Sequence, residues 1–408
     1  MVSIWLRISW ILFIFFSLFI FSCSKDTDNC QIDTYENAPR IEWFNSYSGS
    51  EEESHGHFIL SCLDGGFLQI GETGFIPNSA RIIVVKTDSQ GDLEWKKEFA
   101  EGNHNLGNSA IETANGFLIA GGLNQNSAII KLDKNNGNTL YKRIYNNGGS
   151  NAIEHIAMTA NGILAVGYNN AQDELNTFFT EGQGYMMFLD SSGNKLSSIN
   201  INNYMAHAYR VIPYNNHFYI SGLTEDANDF AIMKIDISGN ILWNRYFGGL
   251  NSDHCFGLDI NQNGAIFLTG HTLSGTANWD TYTMKIDTNG NQLWEQKKGN
   301  PRGFSPDFIH DEAWGIKATN DGGCIVVAGT GDEYQSYNAT CMENSDNSNI
   351  WHVYLLKYGA SGLLEWQKTY SGGSEIDWAG EDIDLTSDGG AIVAVDDGQM
   401  GFLKIEPF

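Results

Sequence analysis

Basic residues and proline are what this 408-residue chain has least of: 23 Lys and Arg stand against 49 Asp and Glu, and there are six Pro. A formal net charge of −26 argues against nucleic acid as a partner, because phosphate contacts need Lys and Arg. It argues equally against a peripheral hold on anionic lipid through a basic face. The charge itself favours solubility, and acid-rich loops can also collect cations. Several chemical signatures are missing. There is no HExxH or paired CxxC spacing for a metal, no phosphate loop and no GxSxG nucleophile elbow. Beyond residue 22 no apolar run reaches the roughly 20 residues needed to cross a bilayer. What the chain does have is 45 Gly and 12% aromatics, which, with few helix-type runs, reads as strands joined by tight turns.

Residues 1–22 put Arg7 before an apolar run that contains no acid. This reads as a secretion signal rather than part of the fold, the alternative being an uncleaved N-terminal anchor. The run ends at Ser22-Cys23, which resembles the lipobox of bacterial lipoproteins, although Phe21 is bulkier than usual in that pattern. The resemblance implies a lipid on Cys23. The acid-containing stretch Ser24-Lys25-Asp26-Thr27-Asp28 resembles the surface-export signal of Bacteroidetes lipoproteins. The expectation is an outer-membrane lipoprotein exposed at the cell surface, touching the membrane through its lipid alone. Residues 23–40 are polar and aperiodic and read as a tether.

An internal repeat decides the fold. DSQGDLEW at 88–95, DISGNILW at 236–243 and DTNGNQLW at 287–294 are copies of one unit, with weaker copies at 133–141, 190–197 and 359–366. The last slot holds Trp95, Tyr141, Ser197, Trp243, Trp294 and Trp366, and Trp43 fits it without the preceding turn. Between successive copies lies a turn followed by an apolar run ending in Gly, as in DGGFLQIG at 64–71 and NGILAVG at 161–167. A strand carrying Lys-x-Asp, as in IMKID, follows. Gly in the NG and DGG turns supplies the positive φ of tight hairpins, and the period-two alternation is that of strands. Four antiparallel strands per repeat of about 50 residues predict a propeller blade. The class is all-β: a single propeller over 41–408, most simply of seven four-stranded blades. The lone N-terminal Trp strand is expected to complete the C-terminal blade and so remove two open edges. The Trp slot reads as packing between blades, and the Lys-x-Asp pair as a structural ion pair or turn anchor.

The D-x-x-G-x-x-x-W pattern with its DGG strands resembles the tryptophan-containing propeller repeats of exported Bacteroidetes proteins, and is similar to the quinoprotein-type repeat. The likeness spans residues 41–408 and implies architecture, not activity. No set matching the quinone and calcium ligands of quinoproteins is present, nor the carbohydrate motif of QxDxNxVxY lectins.

In a propeller, the loops entering the first strand and those joining the second to the third share one face. Here those loops vary in length, with insertions at 168–184, 299–312 and 330–350, and variable loops on a rigid ring are where binding resides. Alignment on the DGG turn puts His55, His207, His254 and Glu312 in one slot, with His310, Asp311 and Asp377 nearby, together with His57, Glu154 and Glu381. Such a ring could bind a divalent cation; the plainer reading is solvated residues around a wet channel, and the cofactor stays unspecified. Trp314 and Trp378, with Trp279 and Trp351, fall outside the repeat slot and could stack on a sugar or anchor a protein, or simply pack the loops. Cys324 and Cys341 are the disulfide candidates for an oxidising compartment. The leading function is a binding or scaffold module for a glycan or protein ligand. The alternatives are a polysaccharide hydrolase or lyase using a carboxylate pair such as Asp377 with Glu381, and a structural component of an envelope complex.

Overall fold

The computed structural model describes residues 27–28, 30, 35–51, 53–75, 79–146, 148–171, 182–341, 345–373 and 375–408. Residues 1–22, read as a secretion signal, and Cys23, expected to carry a lipid, lie outside the described residues. Seven four-stranded antiparallel sheets form the molecule, with no helix among the described residues. Blade one runs outward from the axis through Ser54–Ser61, Phe67–Thr73, Arg81–Thr87 and Leu93–Phe99. Blades two to six occupy 105–145, 150–200, 207–247, 253–298 and 309–370. Blade seven takes Ala379–Leu385, Ala391–Asp396 and Met400–Ile405 from the C-terminal end, and its outer strand is Ile41–Tyr47. Trp43 pairs with Lys404 and Tyr47 with Met400. The inner strand of every blade touches those of both neighbours, blade seven against blade one included, so the ring is closed.

Burial explains the hydropathy pattern strand by strand. Second and third strands are covered on both faces; Phe67–Thr73 is buried throughout, and such strands read as continuous apolar runs rather than alternating ones. Outer strands such as Gln292–Lys298 are largely exposed. Seven hydrophobic clusters each span one blade interface, from the pairing of blades one and two around Phe117 to that of blades seven and one around Phe402. No blade could bury both faces alone.

The repeat's two ends meet across these interfaces. The outer-strand residues Trp43, Trp95, Trp243 and Trp294 each lie on the turn before the outer strand of the following blade. The Trp95, Trp243 and Trp294 indoles donate to the carbonyls of Lys134, Thr288 and Ala360 at 3.2, 3.3 and 3.2 Å. A Cβ on the turn glycines Gly91, Gly137 or Gly362 would strike the rings of Trp43, Trp95 or Trp294. Where blade three has Ser197, Phe188 fills the place against Gly239; blade seven has no such turn, and Phe408 packs edge-on to Trp366.

The Lys-x-Asp strand supplies both an ion pair and a turn anchor, each from a different residue. Lys86, Lys357 and Lys404 are buried, and each bridges the Asp of a DGG turn and the Glu before the Trp: Asp64 and Glu94, Asp321 and Glu365, Asp388 and Glu42. The Asp two residues on instead accepts backbone N–H groups of its own turn, as Asp236 does from Ser238 and Asn240. In blades where those acids are absent the lysine finds other acceptors; Lys285 donates to the carbonyls of Gly322 and Ala360 and Lys131 to the Thr113 hydroxyl.

Two expectations change. Cys324 and Cys341 are unbonded and buried in different places. Cys324 opens the strand Cys324–Asp332 and the insertion leaves from its far end, roughly 25 Å away at about 3.3 Å per residue, beyond disulfide reach. Cys341 packs instead with Cys30, Phe304, Ile309 and Ala339. Part of the tether is also docked: Thr27–Asp28 pairs in parallel with Thr340–Cys341, and Tyr35 and Ala38 pack against the interface of blades six and seven.

Candidate functional site

In all seven blades the ladder between the first and second strands slips by one residue at an equivalent place. The slips fall between Gly56 and Phe58, Gly107 and Ser109, Ile153 and His155, Ala208 and Arg210, Cys255 and Gly257, Ala313 and Gly315, and Gly380 and Asp382. A bulge leaves its extra residue unpaired and re-aims that side chain. The seven extra residues are His57, Asn108, Glu154, Tyr209, Phe256, Trp314 and Glu381, and all seven line a single cavity of about 340 Å³ on the axis. The apolar-run Gly noted in the sequence has its cause here. A Cβ on Gly71, Gly121, Gly167, Gly222 or Gly270 would collide with an inner-strand carbonyl beside the bulge.

The cavity has two unlike walls. Blades four, five and six supply a contiguous aromatic wall, with Tyr209 and Phe256 at 4.8 Å and Phe256 and Trp314 at 4.3 Å between ring centroids. Blades seven, one, two and three supply Glu381, His57, Asn108 and Glu154. Arg210 pairs with Asp382 at 3.4 Å, joining blades four and seven, and sits 5.4 Å from the Phe58 ring. Asp382 also accepts from the Ile59 amide at 3.1 Å. One step further along the inner strands Lys317 pairs with Asp384 at 3.2 Å. These pairs tie separate blades together.

Burial sets the protonation of the polar wall. It pushes Glu381 up to about 8, with Asp396, Glu312 and Asp382 adding to the effect against the pull of His57. It pushes Glu154 up to about 7 against His57 and Arg210. Burial works against charge on His57, yet the Glu72 carboxylate in contact with its Nε2, with Glu381 and Asp396 beyond, raises it to about 9. Neither Glu154 nor Glu381 accepts a hydrogen bond from the described residues. The cavity widens into a mouth lined by Glu53, Glu312, Glu333, Glu375, Asp377, Glu381, Asp396 and Asp397 with Trp314 and Trp351. It lies on the face of the variable loops.

Of the residues expected from sequence, His55, His57, Glu154, Glu312, Trp314 and Glu381 line the axial cavity and Asp377 the mouth, where it accepts from the Trp351 amide at 2.8 Å. The others are placed elsewhere. His207 is buried against Tyr168 at 4.3 Å, and burial lowers it to about 3. His254 stands behind the aromatic wall, 4.8 Å from Trp279 and 5.4 Å from His271. Asp311 is fully buried and accepts from the Asn300 amide at 2.6 Å, with burial raising it to about 7. Trp378 lies in the core, 4.1 Å from Phe44. His310 is beside Glu312 and Glu333 at 3.3 and 3.8 Å. One ligand atom from each of these three lies within 4.8 Å of the others; a His with two carboxylates suits a borderline metal such as zinc. Asn108, Tyr209, Arg210, Phe256 and Asp396 were not singled out by sequence. They share no residue type, and only counting two positions on from the His55 slot reaches the bulge.

No family model matches the chain, and no curated protein matches it in sequence. Solved structures do resemble it. The Neurospora crassa Pan2 WD40 domain matches with a TM-score of 0.53 and 12% identity over 87% of this chain and 90% of that one. A catalytically inactive virginiamycin B lyase from Staphylococcus aureus with quinupristin matches with a TM-score of 0.53 and 12% identity over 89% of this chain and 99% of that one. Both likenesses are of fold alone, and the chain is a seven-bladed all-β propeller.

Proposed function

We propose that this propeller is a binding module, tethered through a lipid on Cys23 at the outer surface of the cell, and that a glycan or protein ligand enters its axial cavity from the loop-rich face. One observation carries the reading: seven equivalent bulges turn seven side chains into one cavity. Packing between blades needs apolar side chains at blade interfaces and gives no reason for His57, Asn108, Glu154 and Glu381 to converge on the axis. An aromatic wall facing a few polar groups is the usual make-up of a small-ligand pocket. The test is a glycan-array and pull-down screen with wild type and Trp314→Ala. Ligands captured by wild type should be lost or weakened at least tenfold by the substitution. Equal capture by both proteins would remove the axial cavity from the function.

A second reading, hydrolysis or lysis of a polysaccharide, is favoured by one feature: two carboxyl groups, Glu154 and Glu381, share the cavity and hold protons near neutrality. Such a group can act as a general acid. Release of reducing or unsaturated ends by wild type, abolished in Glu381→Gln, would move the protein from binder to enzyme.

A further inference from the structure

We propose that the group received by the axial cavity is a primary ammonium, its N–H protons taken by Glu154 and Glu381 and its carbon skeleton lying against Tyr209, Phe256 and Trp314. This rests on the reading of the cavity as a binding site. Three features point the same way. First, both carboxyls line the cavity and take no hydrogen bond from the described residues, so their oxygens are open to a donor that a ligand brings. An ammonium brings three donors and no acceptor. Second, the field is negative. The basic groups of the cavity are already engaged, Arg210 with Asp382 and His57 with Glu72, while among the described residues eight acids and no Lys or Arg line the mouth. A cleft of one sign draws in the opposite charge. Third, the faces of Tyr, Phe and Trp attract cations, whereas an anion would meet acids on entry. A metal ion fits less well: the metal-type cluster among the described residues is His310, Glu312 and Glu333, which includes neither carboxyl.

A cation arriving between these groups favours their charged forms. Glu154 is faced by Glu72, His57 and Arg210, and Glu381 by His57, Asp396, Glu312 and Asp382. With both held up near 7 and 8, binding of a cation releases protons, and affinity for an amine that stays charged rises from pH 6 to pH 8.

The ammonium has two sources, a lysine side chain of a protein or an amino sugar of a glycan. The experiment is isothermal titration calorimetry on the full chain with four probes: Nα-acetyl-lysine amide and glucosamine, and their uncharged counterparts Nα-acetyl-norleucine amide and glucose. At least one amine should bind ten times more tightly than its counterpart, and which amine does so names the source. For the lysine probe, affinity should rise about tenfold from pH 6 to pH 8, with proton release seen as a dependence of heat on buffer ionisation. The double variant Glu154→Gln/Glu381→Gln, its folding checked by circular dichroism, should lose the preference. If the uncharged counterparts bind as tightly as the amines, the ammonium is overturned while the cavity remains a binding site. If no probe binds, or zinc alone gives heat that the double variant abolishes, the ammonium is likewise overturned.

Discussion

Glu381 holds its proton at neutral pH in the folded chain and loses it near pH 4.3 in an unfolded one. Between those values the folded state binds the extra proton, so stability present below about pH 4 is lost as pH rises toward 8. Glu154 and Asp311, both raised to about 7, act in the same direction. So does His57, whose stabilisation is complete below its ordinary 6.5 and is lost as pH passes about 9. Asp388 acts the other way at the acid end. Hydrogen bonds from Thr386 and Gly390 and the Lys404 ammonium overcome its burial and lower it to about 2, so its contribution is present above pH 4 and fades toward pH 2. Thermal stability should therefore peak in mild acid and decline toward pH 9. Glu381→Gln should flatten that decline and raise Tm at pH 9, by about 2 °C for roughly 1 kcal/mol of relief. Scanning fluorimetry from pH 4 to pH 9 checks this; parallel profiles for variant and wild type would show that Glu381 titrates normally. At this scale the sequence reaches His55, His57, Glu154, Glu312, Trp314 and Glu381 of the lining and misses Asn108, Tyr209 and Phe256 at the equivalent bulges. It marks inner strands by alternation, and alternation reads through a bulge as an ordinary strand, since a bulge exists only in the pairing of two strands.

At the scale of the element, the repeat spells out a contact rather than a strand. The Trp slot and the D-x-x-G turn were readable because the same side chain and the same turn recur at one blade interface after another. The exceptions make sense only with both partners in view, as when Phe188 stands in for the missing Trp of blade three. The lysine of the third strand shows the same limit. Spacing within one strand leaves an ion pair with Asp at i+2 and a turn anchor both open, whereas the lysine's partners are the Asp of a DGG turn and the Glu before the outer-strand Trp. The Trp contact predicts a graded result for two glycines of nearly equal backbone conformation. Gly362 has φ +84°, and a Cβ placed on it would stand 2.8 Å from the Trp294 ring; Gly275 has φ +81°, and a Cβ there would meet nothing within 4 Å. Gly275→Ala should cost about 1 kcal/mol, the strain of a left-handed residue. Gly362→Ala should cost about 3 kcal/mol or more, since the ring must also move. Denaturant melts of the two variants decide it, and equal losses would mean that the indole is not held against the turn.

The whole molecule depends on joining residues almost as far apart as the chain allows. Ile41–Tyr47 is the outer strand of a sheet whose other three strands come from 379–405, and its contacts reach both ways around the ring. Within blade seven Glu42 pairs with Lys404 at 3.1 Å. Across the interface Trp43 packs on Phe67 at 5.7 Å, and Asn45 donates to the Gly91 carbonyl at 3.1 Å. The strand therefore covers the edge of Met400–Ile405 and also completes the interface of blades seven and one. This arrangement was legible because the first repeat unit has only the Trp strand and the last lacks it. A chain beginning at residue 48 should leave Met400–Ile405 as an open edge, a template for pairing with other chains. It should elute as aggregate in size-exclusion chromatography and bind a hydrophobic dye, and its residual folded fraction should melt well below wild type. A synthetic peptide of residues 39–49, added during refolding, should restore a monomer by strand addition. A truncated protein that stayed monomeric with an unchanged melt would mean that six complete blades and a three-stranded seventh hold the ring by themselves, and that the axial cavity, to which blade seven contributes Glu381 and Asp396, survives without closure.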